Sequence, residues 1–185
     1  CTGCHAALAD AATARAHAGD GHAAVTCLDC HMAKVVMGID RFVRTHRIAS
    51  PSDPRLLGAA APNACNLCHL DRTIDWTIDA LAERWDVHLP ASGDERGAGE
   101  AWLASREPGL RVLAAAAYAR SPLGRAALPE LVRGLDDPLA YVRAWTAFAV
   151  EDVLGRRLGL AEYDPRAPAA LRARQLAALR ARVIR

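Results

Sequence analysis

The chain has 185 residues, room for one or two small domains, and 23 Lys and Arg against 21 Asp and Glu leave a formal charge of +2. With 24% charged residues the surface is that of an ordinary soluble protein, and composition gives no reason to expect nucleic acid or an anionic membrane as a partner. No apolar run nears the length of a membrane-spanning helix, the Ala-rich stretch around Leu113 being far too short.

In chain order, the first feature is CTGCH (Cys1, Cys4, His5), followed by CLDCH (Cys27, Cys30, His31) and CNLCH (Cys65, Cys68, His69). Two cysteines three positions apart can reach the two vinyl groups of one haem, and the adjacent histidine then meets the iron from the same side. Zinc sites and redox disulfides also use Cys-x-x-Cys. Zinc needs pairs of pairs, however, and a thioredoxin-like site needs one pair in a βαβ setting. Here three motifs, each completed at once by His, use all six cysteines. The expected cofactors are three haem c groups, with His5, His31 and His69 as proximal ligands. Three oxidised haems would move the formal charge to about −1, so the basic excess is expected to hold propionates. A start inside a haem motif leads us to expect sequence upstream of Cys1. There is no signal peptide in this chain, so export to a periplasmic or extracellular location is inferred from the haem chemistry.

Four histidines remain as distal candidates: His17, His22, His46 and His88. His17 and His22 lie in HAGDGH, where glycines let the backbone approach a flat ring. His22 precedes Cys27 closely, so it is expected to reach a neighbouring haem rather than its own. His46 sits in RFVRTHRI between Arg41, Arg44 and Arg47. A neutral coordinated imidazole with arginines on propionates accounts for that cluster better than a solvated basic face. His88 ends a helix, where a plain electrostatic role competes with ligation. Met32 is expected to pack against a ring and Met37 to fill a haem edge or the core rather than bind iron.

Residues 71–87 read as a helix leaving the third motif, with Ile74, Ile78, Leu81 and Trp85 at helical spacing. Residues 89–99, LPASGDERGAG, hold the densest cluster of helix breakers and read as a linker. Beyond it, Leu128, Leu131, Val132 and Leu135 form one apolar stripe, and Val142, Trp145, Ala149 and Val153 a second. Pro138 is expected in a first helical turn behind an acidic cap. The segment LPELVRGLDDPLAYVRAWTAFAVEDVLG resembles a HEAT repeat, with a fainter echo at EPGLRVLAAAAYA that puts Arg111 about one repeat before Arg143. Trp76, Trp85, Trp102 and Trp145 are expected to pack rather than relay electrons.

The run from Cys27 to Trp76, with CHM, then RTHRI, then PNACNLCHLDRTIDW, resembles multihaem cytochromes c of the group related to the tetrahaem partner of hydroxylamine oxidoreductase. It resembles especially the members whose haem region is followed by HEAT or tetratricopeptide repeats. The resemblance covers residues 1 to about 87 by motif and the remainder by architecture. It implies a further haem motif upstream and makes His17 and His46 distal ligands. His22 and His88 have no regular counterpart in the group.

These readings combine into a mainly α protein: a multihaem cytochrome c region with little regular secondary structure, residues 1–88, and an α-helical HEAT-like bundle, residues 100–185. The expected function is single-electron transfer by largely bis-histidine haems between redox protein partners, an electron carrier rather than an enzyme. Two rivals stand beside it. One is a subunit of a larger redox complex or polymeric haem wire, built with copies of itself or other chains. The other is a multihaem reductase with one open haem, although the chain lacks a Cys-x-x-Cys-Lys motif.

Overall fold

The computed structural model describes residues 1–57 and 62–183. Among the described residues the protein is mainly helical: nine α-helices, two short 3-10 turns and a single two-stranded hairpin. No helix there is long and apolar enough to cross a membrane.

The first part of the chain is built from short, locally capped pieces. Helix α1 (Ala11–Ala18) starts where the Asp10 carboxylate accepts the Thr13 amide at 2.7 Å, and it stops at Gly19, whose φ of 93° ends the helix. A 3-10 turn, Asp20–His22, follows. Helix α2 (Cys27–His31) carries the second motif, and its first turn is fastened because Asp29 accepts from the amide (2.9 Å) and hydroxyl (2.6 Å) of Thr26. Strands β1 (Val36–Met37) and β2 (Phe42–Val43) pair antiparallel with Val36 opposite Val43, and α3 (Pro54–Leu57) follows. Of residues 1–57 only Gly19, Phe42 and Leu57 are buried.

The remainder is densely packed. Helix α4 (Ile74–Trp85) is capped by Thr73, whose hydroxyl accepts the Trp76 amide at 3.0 Å, and ends on Asp86 in a left-handed conformation. It buries Ile74, Ile78 and Leu81, whereas Trp85, the fourth member of the expected stripe, is 39% exposed. Helices α5 (Ala98–Leu103), α6 (Pro108–Ala119), α7 (Leu128–Gly134), α8 (Ala140–Leu154) and α9 (Ala169–Val183) complete the chain, with α6 packed on both α5 and α8. One apolar cluster joins Phe42, Leu70, Ile74, Ile78, Trp102, Leu113 and Val142; a second joins Leu128, Leu131, Leu135, Val150, Tyr163 and Leu179. The first draws on both sides of residues 89–99. That segment is bound down: Gly93 donates to Asp75 at 3.0 Å, Ala98 to the Arg72 carbonyl at 2.8 Å and Gly99 to the Leu70 carbonyl at 2.9 Å.

One boundary differs from expectation. Pro138 lies ahead of α8, not in its first turn, because Asp137 Oδ1 accepts the Leu139 amide at 2.9 Å and closes a side-chain turn around the proline first. Two arginines then tie successive turns together. Arg111 donates to Asp137 at 2.7 Å and to the Ser105 carbonyl at 2.8 Å. Arg143, buried, donates to the carbonyls of Asp137 (2.7 Å), Pro138 (3.0 Å) and Pro165 (2.8 Å).

Candidate functional site

Each Cys-x-x-Cys-His segment is a tight turn. In the first, the Cys1 carbonyl accepts from Cys4 at 3.1 Å and His5 at 2.9 Å; in the third, Cys65 repeats this with Cys68 at 3.1 Å and His69 at 2.9 Å. The second motif is the helix α2 itself. The turn gathers two thiols and an imidazole from one short stretch of chain.

All six cysteines are free. Burial pushes the Cys65 thiol up to about 11, with Cys30 and Cys68 adding to the effect. Burial also raises Cys30, followed by Asp29, Cys68 and Cys27, and it raises Cys68, followed by Asp29. Cys68 thus bears on Cys30, and Cys30 on Cys65, across the second and third motifs. The shifts run opposite to those of a reactive redox cysteine, which needs a lowered pKa.

Four imidazoles come together in two pairs. The rings of His17 and His31 have centroids 6.2 Å apart and planes 13° from parallel. Those of His22 and His69 stand 6.1 Å apart at 86°. In each pair one ring is fixed by its backbone. His31 Nδ1 lies 2.9 Å from the Ala49 carbonyl, and His22 Nδ1 lies 2.9 Å from the Ala18 carbonyl. A carbonyl only accepts, so in each of these rings Nδ1 is the donor and Nε2 is left to face outward from that bond. Burial, and then His22 beside it, lower the pKa of His69 and favour its neutral form.

The third motif has supports that sequence reasoning missed. Asn63 and Asn66 are buried, and Asn66 accepts from Asn63 Nδ2 (2.9 Å) and Thr77 Oγ1 (2.7 Å) while donating to the carbonyls of His69 (3.2 Å) and Arg72 (3.1 Å). Trp76 lies against the His69 ring, centroids 4.9 Å apart, with the Arg72 guanidinium 5.6 Å from the indole centre. An amide residue between the two cysteines of the motif is the signal that could have located Asn66.

The remaining candidates stand apart from these pairs. His5 and His46 are exposed, and His88, also exposed, meets Asp86 at 3.0 Å. The three arginines around His46 each face an aspartate: Arg41 with Asp40 at 2.9 Å, Arg44 with Asp29 at 2.6 Å, and Arg47 with Asp53 at 3.9 Å. Arg44 also donates to the Leu28 carbonyl at 2.7 Å, which fastens the RFVRTHRI segment to α2. Met32 caps α2, and Met37 is half-exposed on β1. Among the described residues no group of three or more Cys, His, Asp or Glu side chains forms a bare-ion site. No family model, curated protein or solved structure matches the chain.

Proposed function

We propose that this chain is an exported trihaem c-type cytochrome that passes single electrons between redox protein partners, with Cys1, Cys4, Cys27, Cys30, Cys65 and Cys68 as the attachment points. The observation that carries the reading is the spacing of the two imidazole pairs. A metal–imidazole bond of about 2 Å, plus about 1 Å from that nitrogen to its ring centre, puts two ligands on opposite sides of one metal about 6 Å apart. The pairs measure 6.2 and 6.1 Å, each with one ring whose Nδ1 proton is bound to a carbonyl. A metal-bound histidine is held in this way by its other ring nitrogen. His31 with His17 and His69 with His22 would then be the axial sets of the second and third haems. His46 and His88 are the candidates for the first.

Haem iron supplies reversible one-electron chemistry when bound. The chain's part is to hold, orient and dry the ring. Residues 1–57 bury only two large apolar side chains, Phe42 and Leu57, contributing about 2 kcal/mol each against roughly 1 kcal/mol of backbone entropy per ordered residue. A covalently attached flat apolar ring is the added surface that such a segment needs. The Cys68 thiol is close enough to Cys30 to raise its pKa, and Cys30 does the same to Cys65, which supports second and third attachment points near one another, as rapid passage between two haems would require. We read α6, α7 and α8, with the Arg111 and Arg143 ties between their turns, as a HEAT-like unit offering a docking surface for the partner.

The test is a pyridine haemochrome assay with intact mass on protein made in a host that attaches haem c. Three haems per chain are expected, and their loss on replacing the Cys27 and Cys30 pair by Ala should be one per chain. Stoichiometric zinc in place of haem would overturn the reading.

A further inference from the structure

We infer that Trp85 and Arg84, at the C-terminal end of α4, are positioning residues that clamp the segment bearing His17 and His22 against the imidazoles of the second and third motifs. The inference rests on the axial pairing proposed above and adds what holds that pairing in place.

The segment from α1 through Asp20–His22 has no buried side chain of its own: its buried residue is Gly19, and α1 and the following 3-10 turn contain none. Apolar packing therefore does not fix where His17 and His22 stand. Polar contacts from α4, reaching across 68 residues of chain, do. Trp85 Nε1 donates to the His17 carbonyl at 3.1 Å, and Arg84 Nη2 donates to the Ala16 carbonyl at 3.4 Å. The Arg84 guanidinium also stacks 5.6 Å from the centre of the Trp85 ring and lies on Gly19, where an added Cβ would come within 2.8 Å of Arg84 Cζ. Gly19, at φ 93°, holds a backbone conformation that other residues rarely adopt, and its missing side chain leaves room for the Arg84 guanidinium.

The clamp is itself anchored. Helix α4 buries Ile74, Ile78 and Leu81 and begins directly beyond the third motif, so its far end is fixed relative to His69. This explains why Trp85 is half-exposed although it continues an apolar stripe: its indole N–H is used on the neighbouring segment. One support serves two ligands. His17 and His22 share a single short segment, so loosening it must affect both pairs together and not one alone.

The experiment is cyanide capture of the oxidised protein, followed by the loss of each low-spin EPR signal, in the Trp85→Phe variant. Phe keeps a six-membered aromatic ring at the position and removes the donor together with the five-membered ring that carries it. With three haems retained, cyanide should displace both distal ligands about fivefold faster than in the parent, the size of one lost hydrogen bond, at an unchanged melting temperature. Arg84→Ala, on an exposed side chain, should act in the same direction by about twofold and serves if Trp85→Phe does not accumulate. Unchanged capture, or acceleration at one haem alone, would overturn the clamp while leaving the ligation standing. A parent protein without haem would instead sink the proposed function itself.

Discussion

The two imidazole pairs share a spacing but not an orientation, and that difference has a spectroscopic consequence. An axial imidazole donates π density into the iron orbital perpendicular to its own plane. Rings 13° apart, as in His17 and His31, load the same orbital and split it from its partner; rings 86° apart, as in His22 and His69, load both alike. Under the proposed ligation, the oxidised protein should give one rhombic low-spin EPR signal and one dominated by a single large g value. Two identical rhombic signals would count against this pairing. Under the same proposed ligation, replacing His17→Met should raise the potential of the second-motif haem, because thioether ligation favours the reduced iron, and should leave the third unmoved in a spectropotentiometric titration. At this scale the sequence revealed the candidates and not the partners. HAGDGH announces two histidines beside flexible backbone. Which ring each one meets depends on the Ala18 and Ala49 carbonyls and on Trp85 of a distant helix, and backbone acceptors leave no mark in a residue string.

Among the elements, α2 and the third motif are held by polar ties of different kinds and should respond differently to perturbation. Partial burial pushes Asp29 up, but hydrogen bonds from Thr26 and the charge and hydrogen bond of Arg44 outweigh it and bring its pKa down to about 2. A lowered carboxylate pKa adds stability that is complete above the unfolded value of 3.8 and fades as pH falls towards about 2. Acid titration of the parent between these limits should therefore loosen the α2–Arg44 tie, and Asp29→Asn should remove that part of the pH dependence. The same midpoint and slope in both proteins would count against the role given to Asp29. The third motif relies instead on buried neutral groups. Asn66→Ala strands the Thr77 hydroxyl and two carbonyls, a cost of about 2–3 kcal/mol in urea unfolding. Helices were the most legible elements, since the stripes at Leu128, Leu131 and Leu135 and at Ile74, Ile78 and Leu81 are buried as their spacing requires. The start of α8 was less so, because an Asp137 side-chain turn competes with helix capping for the same proline.

Across the whole molecule, the question is whether the motif-bearing part and the helical part are separable. The composition of residues 89–99 does not decide it, since Gly, Pro and charged residues punctuate linkers and bound loops alike. What distinguishes the two is the destination of the backbone amides, and here Gly93, Ala98 and Gly99 donate to groups of residues 70–75. The apolar contacts agree. Ile74 and Ile78 belong to one cluster with Ala98, Trp102, Leu110 and Leu113, and Phe42 of the hairpin packs edge-on against Trp145 of α8 at 5.4 Å. Cutting the chain after His88 would expose the face of α4 that carries the His17–His22 clamp at its end. Each large apolar side chain uncovered costs about 1.5–3 kcal/mol, and Trp102→Ala alone should cost about 3–5 kcal/mol in the intact chain. A fragment of residues 1–88 should therefore be cleaved by protease far faster than the full chain. If the proposed ligation holds, its second and third haems should also turn partly high-spin, because the support for both distal histidines would be lost with the helix. A protease-resistant fragment with the full low-spin spectrum would mean that α4 stands without the second half.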